Sequence, residues 1–242
     1  MSQRPTVVLL HGLFGFRRLL WFDYFKGVRP LLESLGCRVL VTGVSWSGPI
    51  KKRAQQLAQQ LADEPGPLHL IGHSMGGLDA RHFITHLDGA DKIASLTTLS
   101  TPHHGSPAAD YICRSFSLFR FSKGVQDLTL ARMQVFNADT PNHPDVVYRS
   151  YSAARPLNEL PWLTRHYARG IMAVEGENDS QVSIRSARWG EHLGTLPADH
   201  FELIGLNLWW NRRRKRKSFN HLDIYRDIAK WIRSQGPCAS QQ

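Results

Sequence analysis

The sequence has few cysteines, and their number and placement exclude a disulfide framework. Cys37, Cys113 and Cys238 are odd in number and widely separated. Disulfide-stapled domains carry even sets of cysteines, and zinc sites need short spacings between Cys or His ligands. We therefore expect free thiols, no metal site and no cofactor.

Long apolar runs and a secretion signal are also lacking. No stretch approaches the roughly 20 apolar residues that span a bilayer. The start of the chain shows no succession of basic, apolar and small residues, and residues 6–10 already have the composition of a core strand. We expect a soluble chain in the cytoplasm or at the periphery of a membrane.

Acidic residues are fewer than basic ones, and the excess of basic residues is partly local. The formal net charge is +10, and the run Arg212 to Lys217 consists of six consecutive cations. Such a run is most often a solvated loop. Trp209 and Trp210 precede it, however, and indoles favour lipid interfaces. One alternative function is therefore a basic protein that binds an anionic membrane or nucleic acid through this run; of the two, the membrane is the expected partner and nucleic acid is not.

Strand and helix patterns alternate along the chain. Short apolar runs predict strands over residues 6–10, 38–42, 68–71, 96–100, 171–174 and 194–197. Amphipathic spacing predicts helices over residues 28–35, 51–64 and 222–232. This alternation, at a length suited to one domain, predicts a doubly wound parallel α/β sheet in a single domain over residues 1–242.

A Gly-His-Ser-Met-Gly segment occupies residues 72–76, between the third predicted strand and a run with helical spacing. This arrangement is typical of a nucleophile elbow, in which a serine on a sharp turn needs small residues on both sides. We predict that Ser74 is a nucleophile. The alternative is a glycine-rich turn that contains serine by chance.

An activated serine needs a base, and the base needs a carboxylate that fixes its tautomer. Asp179 lies in the loop after the predicted strand at residues 171–174, with Glu175 and Glu177 as rivals. His200 follows the last predicted strand, with His221 as its competitor. The order serine, acid, histidine is the order expected on an α/β-hydrolase sheet.

The tetrahedral intermediate of acyl transfer needs hydrogen-bond donors for its oxyanion. The backbone amides of Leu13, after the first strand, and Met75, at the start of the elbow helix, are the expected donors. We expect His11 to support the loop rather than join the reaction. Adjacent His103 and His104 seldom converge on one ion, so we expect no metal there.

The regular alternation lapses after residue 106, where residues 107–135 predict a short lid or cap insertion rich in aromatic residues. Phe14, Phe116 and Phe119 are candidate contacts for an acyl chain. The alternative is that these rings fill the core.

Taken together, these motifs are similar to those of a known family. The chain resembles the bacterial true lipases of the Pseudomonas and Burkholderia type through His-Gly-Leu-Phe-Gly at residues 11–15, the elbow, Pro-His-His-Gly-Ser at residues 102–106, and the segments around Asp179 and His200. The resemblance implies an α/β-hydrolase fold, long-chain acylglycerol substrates, and Ser74, Asp179 and His200 as catalytic triad.

The chain also departs from that family pattern. Those lipases are secreted, carry a disulfide and a longer lid, and bind a structural calcium through an aspartate where this chain has Glu202. We therefore do not carry the calcium over. The function expected is a serine hydrolase that cleaves carboxylic esters of acyl lipids, a triacylglycerol lipase or esterase. The alternative within hydrolases is a carboxylesterase or thioesterase for shorter, soluble acyl substrates.

Overall fold

The computed structural model of the chain describes residues 4–15, 18–19, 22–115, 121–208 and 219–235. Its strands are β1 (Thr6–Leu10), β2 (Arg18–Leu19), β3 (Phe22–Asp23), β4 (Arg38–Val41), β5 (Leu68–His73), β6 (Ile93–Leu99), β7 (Val147–Ala153) and β8 (Glu191–Leu196). Six of them form one parallel sheet in the order β4-β1-β5-β6-β7-β8, and β2 pairs with β3 as a separate antiparallel ribbon. The predicted parallel α/β sheet is therefore confirmed.

The α-helices connect these strands or follow them. They are α1 (Val28–Ser34), α2 (Ile50–Gln60), α3 (Gly76–His86), α4 (Pro107–Ser115), α5 (Lys123–Asp127), α6 (Leu130–Asp139), α7 (Arg165–Glu175), α8 (Ile184–Ala187) and α9 (His221–Ser234). Strands buried on both faces need a helix layer on each side, because parallel neighbours are joined by helical crossovers. The helices supply both layers.

The two faces of the sheet have separate cores, because successive strand side chains point in opposite directions. Val7 and Leu9 of β1 pack with buried residues of α1 and α9. Val8 and Leu10 of the same strand pack with α2 and α3. A third apolar cluster surrounds Met75 at the carboxyl edge of the sheet and includes residues of α4, α5 and α6. The carboxyl edge is thus where extra helices enclose a site.

One predicted strand is wrong, and one real strand lacks a prediction. Residues 171–174 lie in helix α7, where Ala168 and Ile171 are buried at helical spacing while Val174 is 64% exposed. An apolar run of this length fits either element by composition, and the helical period decides it. The strand at this place in the sheet is β7. Its Ser150 and Ser152 are polar although they are fully buried, so β7 lacks the apolar run that predicts a buried strand.

Helices α4, α5 and most of α6 occupy the predicted insertion at residues 107–135. Phe116 and Phe119 lie outside the described residues, as does the basic run from Arg212 to Lys217. Over the part of the chain that is described, no helix combines the length and the apolar character needed to cross a bilayer.

Candidate active site

Ser74 lies on a strained turn between β5 and α3. Its φ is 55°, in the left-handed region that side chains rarely adopt. A Cβ at Gly72 would lie 2.6 Å from the backbone of α3, and one at Gly76 would collide with the carbonyl oxygen of Leu10. The Ser74 amide donates to the carbonyl of Leu99 at 3.0 Å. These contacts impose the turn, and the predicted elbow geometry is confirmed.

The Asp179 carboxylate and the His200 imidazole form a buried pair. The distance from Asp179 Oδ2 to His200 Nδ1 is 2.7 Å, and Asp179 is fully buried. Its other oxygen accepts from the amides of Gln181 and Val182 at 2.9 and 2.7 Å. These donors orient the carboxylate toward the ring, and its Oδ2 accepts the proton carried on Nδ1, which leaves Nε2 to act as a base.

Ser74 and His200 line one cavity of about 310 Å³ at the carboxyl edge of the sheet. Most of its other lining residues are apolar, and they come from the loop after β1, from α4 and α5, and from the segment after His200. They include Leu13, Phe14, Ala109, Ile112, Val125, Leu128, Phe201, Ile204 and Leu206. The arrangement suits an acyl chain placed beside a nucleophile.

The loop after β1 is fixed by its carbonyl groups. The Gly12 oxygen accepts from His11 Nδ1 at 2.8 Å, from the Gly15 amide at 3.2 Å and from the Arg53 guanidinium at 3.3 Å. Because C=O and N–H point in opposite directions across a trans peptide, these bonds also fix the direction of the Leu13 amide. Neither the Leu13 nor the Met75 amide donates to another described residue.

Arg53 is fully buried on α2, and sequence reasoning missed it. Its guanidinium also donates to the carbonyls of His11 and Ser45, each at 2.7 Å, and pairs with Asp79 at 2.7 Å. Burial raises the pKa of Asp79 to about 6, and the charge of Arg53 opposes that rise. The signal was available, because Arg53 is a lone cation that shares the apolar face of an amphipathic helix with Ala54 and Leu57.

His11 supports the loop, as predicted. The amide of Val44 donates to its Nε2 at 3.2 Å, so Nδ1 carries the proton that goes to Gly12. Burial and the nearby charge of Arg53 lower the pKa of His11 to about 4. The ring is therefore neutral near pH 7, and both of its nitrogens are occupied by backbone groups.

Comparison with known proteins places the chain among ester hydrolases. Residues 50–138 match the family described as the PGAP1-like alpha/beta domain. "Triacylglycerol lipase 2" of Saccharomyces cerevisiae is 37% identical over a 222-residue alignment that covers 81% of this chain and 66% of that protein. The triacylglycerol lipase of Pseudomonas fragi is 30% identical over 89% of this chain and 79% of its own length. The chain belongs to the triacylglycerol lipase family.

A solved structure agrees on the fold. The lipase of Staphylococcus hyicus superposes with a TM-score of 0.77 and 17% identity, over 96% of each chain. At this identity the likeness concerns the fold alone. It supports an α/β-hydrolase architecture for this member of the triacylglycerol lipase family.

The rivals for the acid and base lie elsewhere in this lipase-family chain. His221 Nε2 donates to the Lys26 carbonyl at 2.7 Å at the start of α9. Glu175 accepts from the Ser183 hydroxyl at 2.5 Å. The Glu177 carbonyl accepts from the amide of Ile184. The structure therefore pairs His200 with Asp179 and with neither glutamate.

Of the adjacent histidines, His103 is held inside the fold. It bonds the Thr98 hydroxyl at 3.0 Å and stacks on Trp189 with a centroid distance of 5.2 Å. His104 is only partly enclosed, and its amide donates to Ser186 at 3.2 Å. All three contacts are structural.

The calcium found in similar lipases does not fit the residues of this chain. Glu202 occupies the position of the calcium-binding aspartate, but its two oxygens accept from the Arg155 guanidinium at 3.1 and 3.3 Å. Its Oε2 also accepts from the Asp199 amide at 2.8 Å. A buried cation already neutralises this carboxylate, so a second cation beside it would be repelled. Among the described residues, no group of three His, Cys, Asp or Glu side chains forms a metal cluster.

Proposed function

We propose that the chain hydrolyses carboxylic esters of acyl lipids through an acyl-serine intermediate on Ser74. The observation that carries the proposal is that a serine in left-handed conformation and an Asp179-paired His200 line the same apolar cavity. A nucleophile, a base and an orienting carboxylate are the parts that acyl transfer requires.

The reaction proceeds in two steps, acylation of Ser74 and then hydrolysis of the acyl-serine. His200 Nε2 takes the proton of the Ser74 hydroxyl as its oxygen attacks the ester carbonyl, and the imidazolium then gives that proton to the departing alcohol. In the second step His200 takes a proton from water, the water oxygen attacks the acyl-serine, and the proton returns to the Ser74 oxygen as the acid leaves. Asp179 keeps its charge throughout and stabilises the imidazolium.

The amides of Leu13 and Met75 are the proposed donors to the oxyanion. Met75 immediately precedes α3, so the positive end of that helix adds to the field at the developing charge. Each oxyanion donor lowers the activation barrier by on the order of 3 kcal/mol in characterised enzymes. The fixed Gly12 carbonyl supports this role for Leu13, because it turns the amide away from Arg53.

Labelling by a fluorophosphonate probe tests the nucleophile. We expect the wild type to be labelled and Ser74→Ala to remain unlabelled. Ser106→Ala is the matched control, because Ser106 lines the same cavity while its hydroxyl donates to the Gln181 carbonyl. Labelling of Ser74→Ala at the wild-type rate would remove Ser74 from the mechanism.

Acylglycerols are the proposed substrate class, by likeness to the yeast and Pseudomonas fragi relatives and because the cavity lining is largely apolar. A p-nitrophenyl ester series tests this. A lipase keeps its activity at ten or more acyl carbons, since each buried CH₂ contributes about 0.8 kcal/mol. Activity confined to acetyl and butyryl esters, or preference for the matched thioesters, would favour the esterase or thioesterase alternative.

We also propose that the chain docks on anionic lipid surfaces, as a peripheral membrane protein. Exposed apolar side chains adjoin cavity-lining residues: Trp46 is 58% exposed and packs on Phe14 at 4.8 Å, and Leu208 is 42% exposed just beyond Leu206. Leu208 is followed in the sequence by the two tryptophans and the basic run. Apolar anchors and cations together favour an anionic interface.

Vesicle sedimentation tests the docking. Neutralising Arg213 and Lys215 to Gln should weaken binding to vesicles that contain phosphatidylserine. The matched control removes Arg4 and Arg38, two exposed cations at the amino edge of the sheet, and should leave binding unchanged. Equal affinity of the wild type for neutral and anionic vesicles would contradict this proposal and leave the ester hydrolysis intact.

A further inference from the structure

A buried tyrosine and a buried histidine connect the loop after β1 to the loop of His200. The amide of Gly12 donates to the Tyr24 hydroxyl at 3.0 Å, and that hydroxyl lies 2.8 Å from Nδ1 of His73. Nε2 of His73 in turn lies 3.0 Å from the carbonyl oxygen of His200. Tyr24 is 7% and His73 1% exposed.

The proton positions in this network follow from the chemistry of its two ends. A carbonyl oxygen only accepts, so Nε2 of His73 carries a proton and donates it to His200. In a neutral ring Nδ1 is then an acceptor, and the Tyr24 hydroxyl donates to it. The same hydroxyl oxygen accepts from Gly12, whose amide only donates. Burial lowers the pKa of His73 well below its usual range, which agrees with a neutral ring.

The network joins two groups that must face the same serine. Gly12 precedes Leu13, the proposed oxyanion donor, and His200 is the proposed base. A Cβ added to Gly12 would lie 2.8 Å from Ser74 Cβ and 3.0 Å from the Tyr24 hydroxyl, so loop, hydroxyl and nucleophile are in contact. The rings of His73 and His200 also touch, with centroids 4.6 Å apart.

We propose that Tyr24 and His73 are positioning residues, which set the distance between the Leu13 amide and the His200 imidazole around Ser74. This inference rests on the proposed function. Displacements of about 1 Å cost up to about 100-fold in rate, so the network affects the transition state more than it affects substrate binding.

Replacement of His73 by two side chains of similar size tests the proposal. His73→Gln keeps one acceptor and one donor at the end of the side chain, whereas His73→Leu keeps only the volume. We expect His73→Gln to retain kcat within about fivefold and His73→Leu to lose about 100-fold. A purely packing role predicts the reverse order, because the buried leucine needs no partner.

Tyr24→Phe gives a second measurement, with Tyr148→Phe as its matched control. The Tyr148 hydroxyl also accepts from a backbone amide, that of His143 at 3.1 Å, but Tyr148 lies on β7 and packs in the apolar cluster of α2 and α3. We expect Tyr24→Phe to lower kcat about 10- to 100-fold with KM within twofold. Tyr148→Phe should keep the wild-type kcat.

Affinity for a trifluoromethyl ketone that bears the substrate acyl chain separates positioning from stability. Such a ketone forms a tetrahedral adduct with serine, so its affinity should fall by the same factor as kcat/KM in Tyr24→Phe and His73→Leu. Unchanged ketone affinity and kcat in folded variants would overturn the positioning role while the wild type still cleaves esters. A wild type that neither cleaves esters nor reacts with fluorophosphonate would overturn the proposed function and this inference with it.

Discussion

Arg53 and Arg155 are both buried beside the candidate site, but their guanidinium groups bind different partners. Arg53 donates to three backbone carbonyls around the loop after β1 and pairs with one carboxylate, that of Asp79. Arg155 binds two carboxylates, those of Glu202 and Glu159. The first arginine therefore fixes the direction of peptide groups, and the second neutralises charge near His200. The comparison implies that loss of Arg53 affects rate and stability, and loss of Arg155 mainly stability.

The largest effect is expected for Arg53→Met. This change leaves Asp79 buried without its cation and frees the Gly12 carbonyl. The free energy of unfolding should therefore fall by about 3 to 5 kcal/mol, and kcat should fall about 100-fold. Urea unfolding and ester kinetics measure the two effects. In the double variant with Asp79→Asn, stability should largely return while kcat stays low. Recovery of kcat together with stability would break the comparison.

Arg155→Met should lower the free energy of unfolding by about 3 kcal/mol, because Glu202 loses its buried cation. Glu159 remains 31% exposed at its side chain and regains water, which limits the loss. We expect kcat to change less than about tenfold, since the Asp179–His200 bond does not involve Arg155. A loss of kcat as large as that of Arg53→Met would show that the two arginines act alike.

The dependence of stability on pH tests the environment of Arg53, because the charge of Arg53 helps to lower the pKa of His11. Its pKa is about 4 in the folded chain against 6.5 as a reference, so the unfolded chain takes up the proton first and stability is lost as pH falls from about 6.5 to about 4. His11→Gln, which does not titrate, should lessen the loss at pH 4.5 by up to about 2.5 kcal/mol. Urea unfolding at pH 7 and 4.5 measures it. The exposed His166→Gln is the control, and an equal gain there would contradict the assignment.

The smallest effect is expected at the surface. Arg29 and Glu33 of α1 form a pair at 2.8 Å with side chains 53% and 45% exposed. Solvent screens such a pair, so Arg29→Gln should change the unfolding free energy by about 0.5 kcal/mol or less. A loss comparable with that of Arg155→Met would mean that burial does not explain the difference between the sites.

Much of the fold was predictable because its strands are short, apolar and set between amphipathic helices. The elbow was predictable because Gly72 and Gly76 report a steric requirement that acts within five residues. Asp179 and His200 were predicted from loops that follow predicted strands and from the resemblance to lipases; the element before Asp179 is helix α7 and not a strand, but the two side chains do form a pair. The strand at residues 171–174 failed because local composition does not distinguish a buried strand from one face of a helix.

The hydrogen-bond partners of the supporting network were not predictable from the sequence. Arg53, Tyr24 and His73 matter through the backbone groups that they reach in distant segments, and a side chain's type does not reveal which carbonyl or amide will lie beside it. The fixed Leu13 amide likewise depends on a tertiary contact to Gly12. Such residues have no local signal beyond a polar group in an apolar pattern.

The contact from His73 to His200 has a consequence for biosynthesis, because 127 residues separate its two ends. A nascent polypeptide emerging from the ribosome has a complete elbow long before its histidine partner is translated. Contacts of such long range form late. Ester cleavage by a newly made or refolded molecule therefore requires that the elbow and the His200 loop have come together, so the onset of turnover measures a late stage of folding.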